Sequence, residues 1–313
     1  MKYNVAVVGA GYWGKNHIKT LFNLGHLHSI IDNRDDVLDS FKKLYPDVNF
    51  YRKINEVPFA KIDGFVVSTP ADTHYKISKQ ILKAKKHVLV EKPLCLKIEH
   101  AEELVRLSKK NNVNLMVGHL LLFHPAIKMI KKIIQSNKLG KINYIYSHRL
   151  NFGKVRKNED VFMSLAPHDL SIFRHLIDSS IKSFEVKHSK IINKKIADFT
   201  VSNFVYKNNT KGHILNSWIN PFKEHKLVVI GSKSMLSYED SSDNKDLLFY
   251  DKKFDITKNP IENDGPVKKI NYKQSSPLEN QLQYFCKHLN GDKIKISNAD
   301  DALFITRLLL KDY

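Results

Sequence analysis

The chain has 313 residues, of which 42% are hydrophobic and 27% charged, an ordinary globular composition with enough length for two domains. This excludes a largely disordered chain. The formal charge of +19 raises nucleic-acid binding, but only seven of the 51 basic residues are Arg, the lysines are scattered and no nucleic-acid motif accompanies them. A general Lys/Asn/Ile bias accounts for the charge, and the positive field suits anionic cofactors and phosphorylated ligands. No nucleic-acid partner is expected.

Residues 3–9 read as a short buried strand, followed by a glycine turn. Trp13, Ile18, Leu21 and Leu24 repeat at helical spacing, and Gly25 stands where that helix would stop. Strands at 27–31, 49–51, 64–68, 87–90 and 114–117 then alternate with helices at 36–44, 72–84 and 97–111. The strand runs are continuously apolar, as in a parallel sheet covered on both faces. The pattern changes after residue 119. A helix at 124–136 precedes strand-like segments at 142–151, 183–192, 197–206, 211–219 and 225–231, with a helical stretch at 161–178 among them. Several of these segments alternate apolar with polar residues, the mark of antiparallel strands with one covered face. Residues 239–275 read as a polar surface excursion, and helices at 277–289 and 298–311 close the chain. The expected division is a dinucleotide-binding Rossmann domain over 1–122 and an α+β domain with an open, mostly antiparallel sheet over 123–313.

Cys95 and Cys286 lie far apart without metal-ligand spacing and are expected as free thiols in a reducing compartment. No H-x-x-x-H pair or carboxylate partner spacing supports a metal site among the histidines. The start of the chain lacks the pattern of a leader, and no run reaches about 18 apolar residues. Cytoplasmic location without membrane association is the expectation.

Gly9-Ala10-Gly11-Tyr12-Trp13-Gly14 matches G-x-G-x-x-G between a strand and a helix, and Asp32 ends the next strand. Gly9 permits the tight turn, Gly11 lets the backbone approach a pyrophosphate, and Gly14 permits close helix–strand packing. The helix N-terminus offers free N–H groups to phosphates. Asp32 suits ribose hydroxyls and favours NAD. Beyond Asn33, Arg34 is either a partner for a 2′-phosphate, which would admit NADP, or a solvated surface residue. Glu91-Lys92-Pro93 ends another parallel strand, the edge where open α/β sheets place ligands. A lysine there can donate to a substrate oxygen and stabilise developing negative charge.

Together with Ser68-Thr69-Pro70 and His74, Val117-Gly118-His119, Arg149 to Gly153, Leu165-Ala166-Pro167-His168-Asp169-Leu170, Ser217 to Pro221 and Ile230-Gly231-Ser232, these motifs resemble the Gfo/Idh/MocA oxidoreductases over nearly the whole chain. The resemblance implies a mixed open sheet in the second domain, used for homodimer or homotetramer contacts. It implies NAD(P) held by the glycine motif, Asp32 to Arg34, Ser68, Thr69, Pro70, His74, Glu91 and Lys92. It also implies that Lys92 and His168 face the nicotinamide and a sugar or cyclitol, with His168 taking the hydroxyl proton as hydride leaves. The Ala166–Asp169 version resembles a branch acting on nucleotide sugars in surface-polysaccharide biosynthesis, in the style of 3-dehydrogenases of UDP-N-acetylglucosamine or its uronic acid. Substrate contacts are expected from Lys92, His119, Arg149, Asn151, Arg156, Ser164, His168 and Asp169. The chain departs from many members at Ser164 and Ser171, where Asp is common; a neutral hydroxyl cannot serve His168 as an ionised partner. Oxidation or reduction of a free sugar or cyclitol is the alternative, and a catalytically silent NAD-binding regulator is the alternative of another class.

Overall fold

The structure, a computed structural model, describes residues 2–153, 155–156, 159–192, 194–255 and 261–311. The chain forms two compact units. In the first, strands β1 (Val5–Val8), β2 (Leu27–Ile31), β3 (Asn49–Tyr51), β4 (Gly64–Val67), β5 (His87–Val90) and β6 (Leu115–Val117) are joined through helices α1 (Gly14–Asn23), α2 (Asp35–Leu44), α3 (Ala71–Lys83) and α4 (Ile98–Lys110). All strand pairs are parallel, in the order β3-β2-β1-β4-β5-β6. Continuous apolar runs produce this sheet because both faces are covered: every residue of β1 and β4 is buried. The chain leaves β1 in one direction and returns to β4 in the other. That reversal opens a crevice at the C-terminal ends of the two strands, where Gly9 and Ser68 follow.

Residues Ser275–Lys311 cluster with Met1–Phe123, and His124–Gln274 form the second unit. This corrects the expected 123–313 domain, since helices α7 (Pro277–Lys287) and α8 (Ala299–Lys311) belong with the Rossmann sheet. Ala299 and Ala302 join the same apolar core as Val88 and Leu104. The Asn114 side-chain amide donates to the carbonyls of His288 and Asp292 at 2.9 and 2.8 Å, and Ser297 O accepts from Val117 N at 3.1 Å. Helical periodicity shows that α7 and α8 have a buried face but not which unit covers it.

The second unit is built from α5 (Pro125–Gln135), β7 (Ile142–Phe152), α6 (Val161–Leu176), β8 (Ile181–Ser189), β9 (Phe199–Tyr206), β10 (Lys211–Ser217), β11 (Ile219–Gly231), β12 (Met235–Glu239), β13 (Leu247–Asp255) and β14 (Ile261–Ile270). The eight strands run in the order β14-β13-β12-β11-β7-β10-β9-β8. The β7/β10 pair is parallel and its neighbours pair antiparallel. α6 packs on one sheet face, so Ile145, Ser147 and Arg149 of β7 are buried while Tyr144, Tyr146 and His148 point the other way and are only half-buried. β13 and β14 occupy the stretch read as a surface excursion. Their charged residues, among them Asp251, Lys252 and Lys268, mask the strand signal, because outer strands with solvated faces lack apolar alternation.

Candidate active site

A cavity of about 640 Å³ opens at the crevice of the Rossmann unit. Gly9, Gly11, Tyr12, Asp32, Asn33, Arg34, Ser68, Thr69 and Pro70 all line it. Gly9 has φ +94°, a conformation that glycine alone adopts freely. A Cβ on Gly14 would stand 1.9 Å from Gly9 O, whereas one on Gly11 would meet nothing within 4 Å. Gly14 therefore seals helix to strand, and Gly11 leaves backbone facing open space. Space at Gly11, the start of α1 and a carboxylate at the end of β2 together fit a dinucleotide.

Asp32 is already engaged. Its carboxylate accepts from Ala10 N at 2.8 Å and from the Arg34 fork, Nε at 2.8 Å and NH2 at 2.9 Å. Burial opposes its ionisation, but the Arg34 fork and the Ala10 N–H hold the carboxyl below its ordinary value. Arg52, beyond β3, also lines the cavity, with Ile54, Thr73 and Ile77. None of these four was singled out from the sequence; Arg52 lies outside any glycine motif and reaches the site because β3 is the neighbour of β2.

Five residues expected to bind cofactor stand outside the cavity lining, and four of them brace it. Trp13 Nε1 and His17 Nε2 both meet Glu91 Oε1, at 2.6 and 2.7 Å, tying the start of α1 to the end of β5. Burial pushes the Glu91 carboxyl upward, but the His17 and Trp13 hydrogen bonds bring it below its ordinary value. His74 is buried, with its ring nitrogens against Pro93 O at 2.9 Å and Thr69 O at 2.8 Å. It joins the wall behind Thr69 to the turn carrying Lys92. Gly14 completes the four through its packing on Gly9. Lys92 itself is half-buried at the end of β5, its N–H donating to Glu91 Oε2 at 3.3 Å and its peptide to Pro93 cis.

Several expected substrate contacts are corrected. His119 is 3% exposed, and its Nδ1 meets Ser297 Oγ at 2.7 Å. Because that hydroxyl donates to Val117 O at 2.7 Å, His119 Nδ1 is the donor. Burial lowers the His119 pKa to about 4, with Lys92 adding to the effect and Glu91 opposing it. Arg149 and Asp169 are both buried and hold each other through two hydrogen bonds of 2.8 and 2.9 Å; Ser147 Oγ adds a third to Asp169 at 2.7 Å. An Arg fork matches a carboxylate as well as a phosphate, and here an internal carboxylate takes it. Arg156 is exposed and pairs with Glu159 at 2.7 Å.

On α6, successive residues point about 100° apart. Asp169 is thus turned into the sheet while His168, its neighbour, is half-buried. Ser164 is buried, and Ser171 Oγ donates to His168 O at 2.7 Å. Asp169 consequently does not serve as an ionised partner for His168. Asn151, near the end of β7, keeps a buried Oδ1 without a hydrogen-bond partner among the described residues. It remains available for a ligand hydroxyl. Cys95 and Cys286 are free and buried, and burial raises both thiols to about 12.

Residues 3–119 match the oxidoreductase family with an NAD-binding Rossmann fold, and residues 127–237 match the Gfo/Idh/MocA C-terminal domain. The chain belongs to the Gfo/Idh/MocA oxidoreductase family. It is 26% identical over 204 residues to an uncharacterized oxidoreductase, YrbE, of Bacillus subtilis, covering 61% of this chain and 59% of that one. It is 27% identical over 172 residues to the UDP-N-acetylglucosamine 3-dehydrogenase of Acidithiobacillus ferrooxidans, covering 53% and 51% of the two chains. The match to the myo-inositol 2-dehydrogenase of Thermotoga maritima is 24% identical and covers 74% of each chain. The alignments to the first two relatives span less than two thirds of those proteins. A solved structure of the A. ferrooxidans enzyme superposes with a TM-score of 0.88 at 18% identity, covering 99% of this chain and 96% of that one, which shows a shared fold. Among the described residues, no helix is long and apolar enough to cross a membrane.

Proposed function

We propose that this family member is an NAD-dependent dehydrogenase of a nucleotide-activated sugar, serving the assembly of a surface polysaccharide. The cavity at the β1/β4 crevice, with Gly11 open and Asp32 in its lining, carries the cofactor half of the reading. The substrate half is supported by similarity to the A. ferrooxidans 3-dehydrogenase; the internal pairing of Arg149 removes what had been its best phosphate contact. Bound NAD would supply the hydride acceptor. In this reading the His168 imidazole takes the proton of the sugar hydroxyl, and the Lys92 ammonium donates to the same oxygen as the carbonyl forms. Asn151 contributes a hydroxyl contact.

Oxidation of a free cyclitol is the second reading, favoured by the longer alignment to the inositol enzyme. Cofactor-stripped protein is mixed with NAD and, separately, UDP-N-acetylhexosamines, their uronates, free sugars and inositols, while reduced cofactor is followed by absorbance. Turnover confined to a UDP-sugar supports the first reading, and turnover confined to inositol replaces it with the second. NAD binding with silence across the panel overturns both and favours a regulator. In the active case, His168→Ala should lower kcat about 10²–10⁴-fold with NAD affinity retained; unchanged kcat removes His168 from the mechanism.

A further inference from the structure

On the half-buried face of the second unit's sheet, away from α6, two histidines from different strands meet. His148 lies on β7 and His213 on the parallel neighbour β10, where the register sets His213 beside Tyr146. Alternation puts Tyr144, Tyr146, His148 and His213 on one face. The two Nε2 atoms stand 3.4 Å apart. Each Nδ1 is held by an oxygen: His148 Nδ1 by Glu224 Oε1 of β11 at 2.7 Å, and His213 Nδ1 by the Tyr144 hydroxyl at 2.8 Å. The Tyr146 ring stacks on His213 with centroids 5.1 Å apart and planes within 3°.

We propose that His148 and His213 form a two-imidazole binding site for a divalent transition-metal ion, with Zn²⁺ as the reference occupant. Three observations carry this. First, a tetrahedral ion with metal–nitrogen bonds of about 2.0–2.1 Å holds two ligand nitrogens about 3.3–3.4 Å apart, which is the separation found. It is long for a hydrogen bond between the same atoms. Secondly, a carboxylate on Nδ1 fixes a ligating imidazole's orientation and tautomer, and Glu224 Oε1 holds His148 Nδ1 at 2.7 Å. Thirdly, Tyr144 and the stacked Tyr146 fix the plane of His213, so the pair is arranged before an ion arrives.

Without metal and with both imidazoles neutral, one consistent proton assignment has the Tyr144 hydroxyl donating to His213 Nδ1, His213 Nε2–H facing His148 Nε2, and His148 Nδ1–H donating to the Glu224 carboxylate. Metal binding turns His213 to its other tautomer, so that Nδ1–H donates to the Tyr144 oxygen and both Nε2 lone pairs face the ion. No proton is gained or lost by the pair. Lys226 stands opposite His148 and is itself opposite Glu239. Among the described residues no set of three or more His, Cys, Asp or Glu converges, so water completes the coordination. Nitrogen donors select Zn²⁺, Cu²⁺ or Ni²⁺ over Mg²⁺ and Ca²⁺.

The test is calorimetric titration of Zn²⁺ into tag-free, metal-stripped full chain, with Mg²⁺ as control. One saturable Zn²⁺ site is expected. Because the chain has 15 histidines, His148→Asn and His213→Asn must each weaken that site at least about tenfold, and Glu224→Gln about 10–100-fold, with NAD binding retained as the sign of an intact chain. Absence of saturable binding in the parent overturns the proposal, as does parent-like affinity in either histidine variant. Should the variants not fold, the Cu²⁺ electron paramagnetic resonance spectrum of the parent decides. Splitting from two imidazole nitrogens supports the pair, and an oxygen-only spectrum overturns it.

Discussion

The two units reach their chemistry by different routes. In the Rossmann unit most of the cavity lining comes from short runs at strand ends, 8–9 and 11–12, 31–34 and 68–70, and those runs are visible as motifs. In the second unit the interacting groups are assembled by register and by helix-on-sheet packing. Arg149 meets Asp169 across 20 residues of chain, and His148 meets His213 across 65. Backbone-driven binding leaves a pattern in sequence, whereas pairs made by strand register leave none. Arg149→Ala breaks the comparison most directly. It strands the Asp169 carboxylate in the core, with an expected loss of about 3–5 kcal/mol of stability, read by chemical denaturation. Arg156→Ala, at an exposed pair, should change stability by less than about 0.5 kcal/mol. If Arg149→Ala instead left stability intact and raised only KM, Arg149 would return to the list of substrate contacts.

The same contrast explains what was legible. Apolar runs identified the strands of the parallel sheet, most weakly the polar-led β3, and the glycine spacing located the cavity, because both follow from local backbone demands. Strands β12, β13 and β14 were missed; in β13 and β14 charged residues such as Asp251, Lys252 and Lys268 interrupt the apolar pattern. α7 and α8 were given to the wrong unit because amphipathicity does not name its partner. His119 was read as a ligand contact because it follows a strand end, whereas Ser297, from the segment before α8, buries it. That burial has a measurable consequence. A histidine at about 4 in the fold and at its ordinary 6.5 when unfolded leaves the unfolded chain binding more protons between those values. Its contribution is intact above pH 6.5 and is lost as pH falls toward 4, about 3 kcal/mol in all. His119→Gln should flatten the acid limb of a stability–pH profile over that window. A variant with the parent's acid limb would show that other groups carry it, such as His175 and His225 of the second unit, both also lowered to about 4 chiefly by burial.

Within the glycine motif, two substitutions sharpen the distinction between scaffold and site. Gly14→Ala drives a methyl into Gly9 O and should cost about 1–3 kcal/mol from overpacking, lowering Tm whether or not cofactor is present. Gly11→Ala has room and should leave the Tm of the free protein unchanged while weakening NAD binding, because the methyl enters the space kept for the pyrophosphate. Equal losses of Tm in the two variants would mean that Gly11 also holds the turn and that the cavity floor is not open backbone.

The finest distinction concerns the two arginines of the cavity lining. Arg34 neutralises Asp32 through its fork, and Arg52 joins the lining from beyond the next strand, with an exposed contact to Asp35 at 3.2 Å. A ribose 2′-hydroxyl must share or displace the Arg34 fork to reach the carboxylate. A 2′-phosphate would instead draw Arg34 and Arg52 toward itself and leave Asp32 as the opposing charge. Arg34→Ala is therefore expected to weaken NADPH about tenfold, the worth of one charge-assisted hydrogen bond, and to leave NADH unchanged or tighter because Asp32 is freed. Arg52→Ala should weaken NADPH by a smaller factor and leave NADH unchanged. Both are read by equilibrium titration of reduced-cofactor fluorescence. An equal loss for the two cofactors on Arg34→Ala would mean that the fork holds Asp32 in place for the ribose, and Arg34 would then join Trp13 and His74 among the residues that brace the cavity.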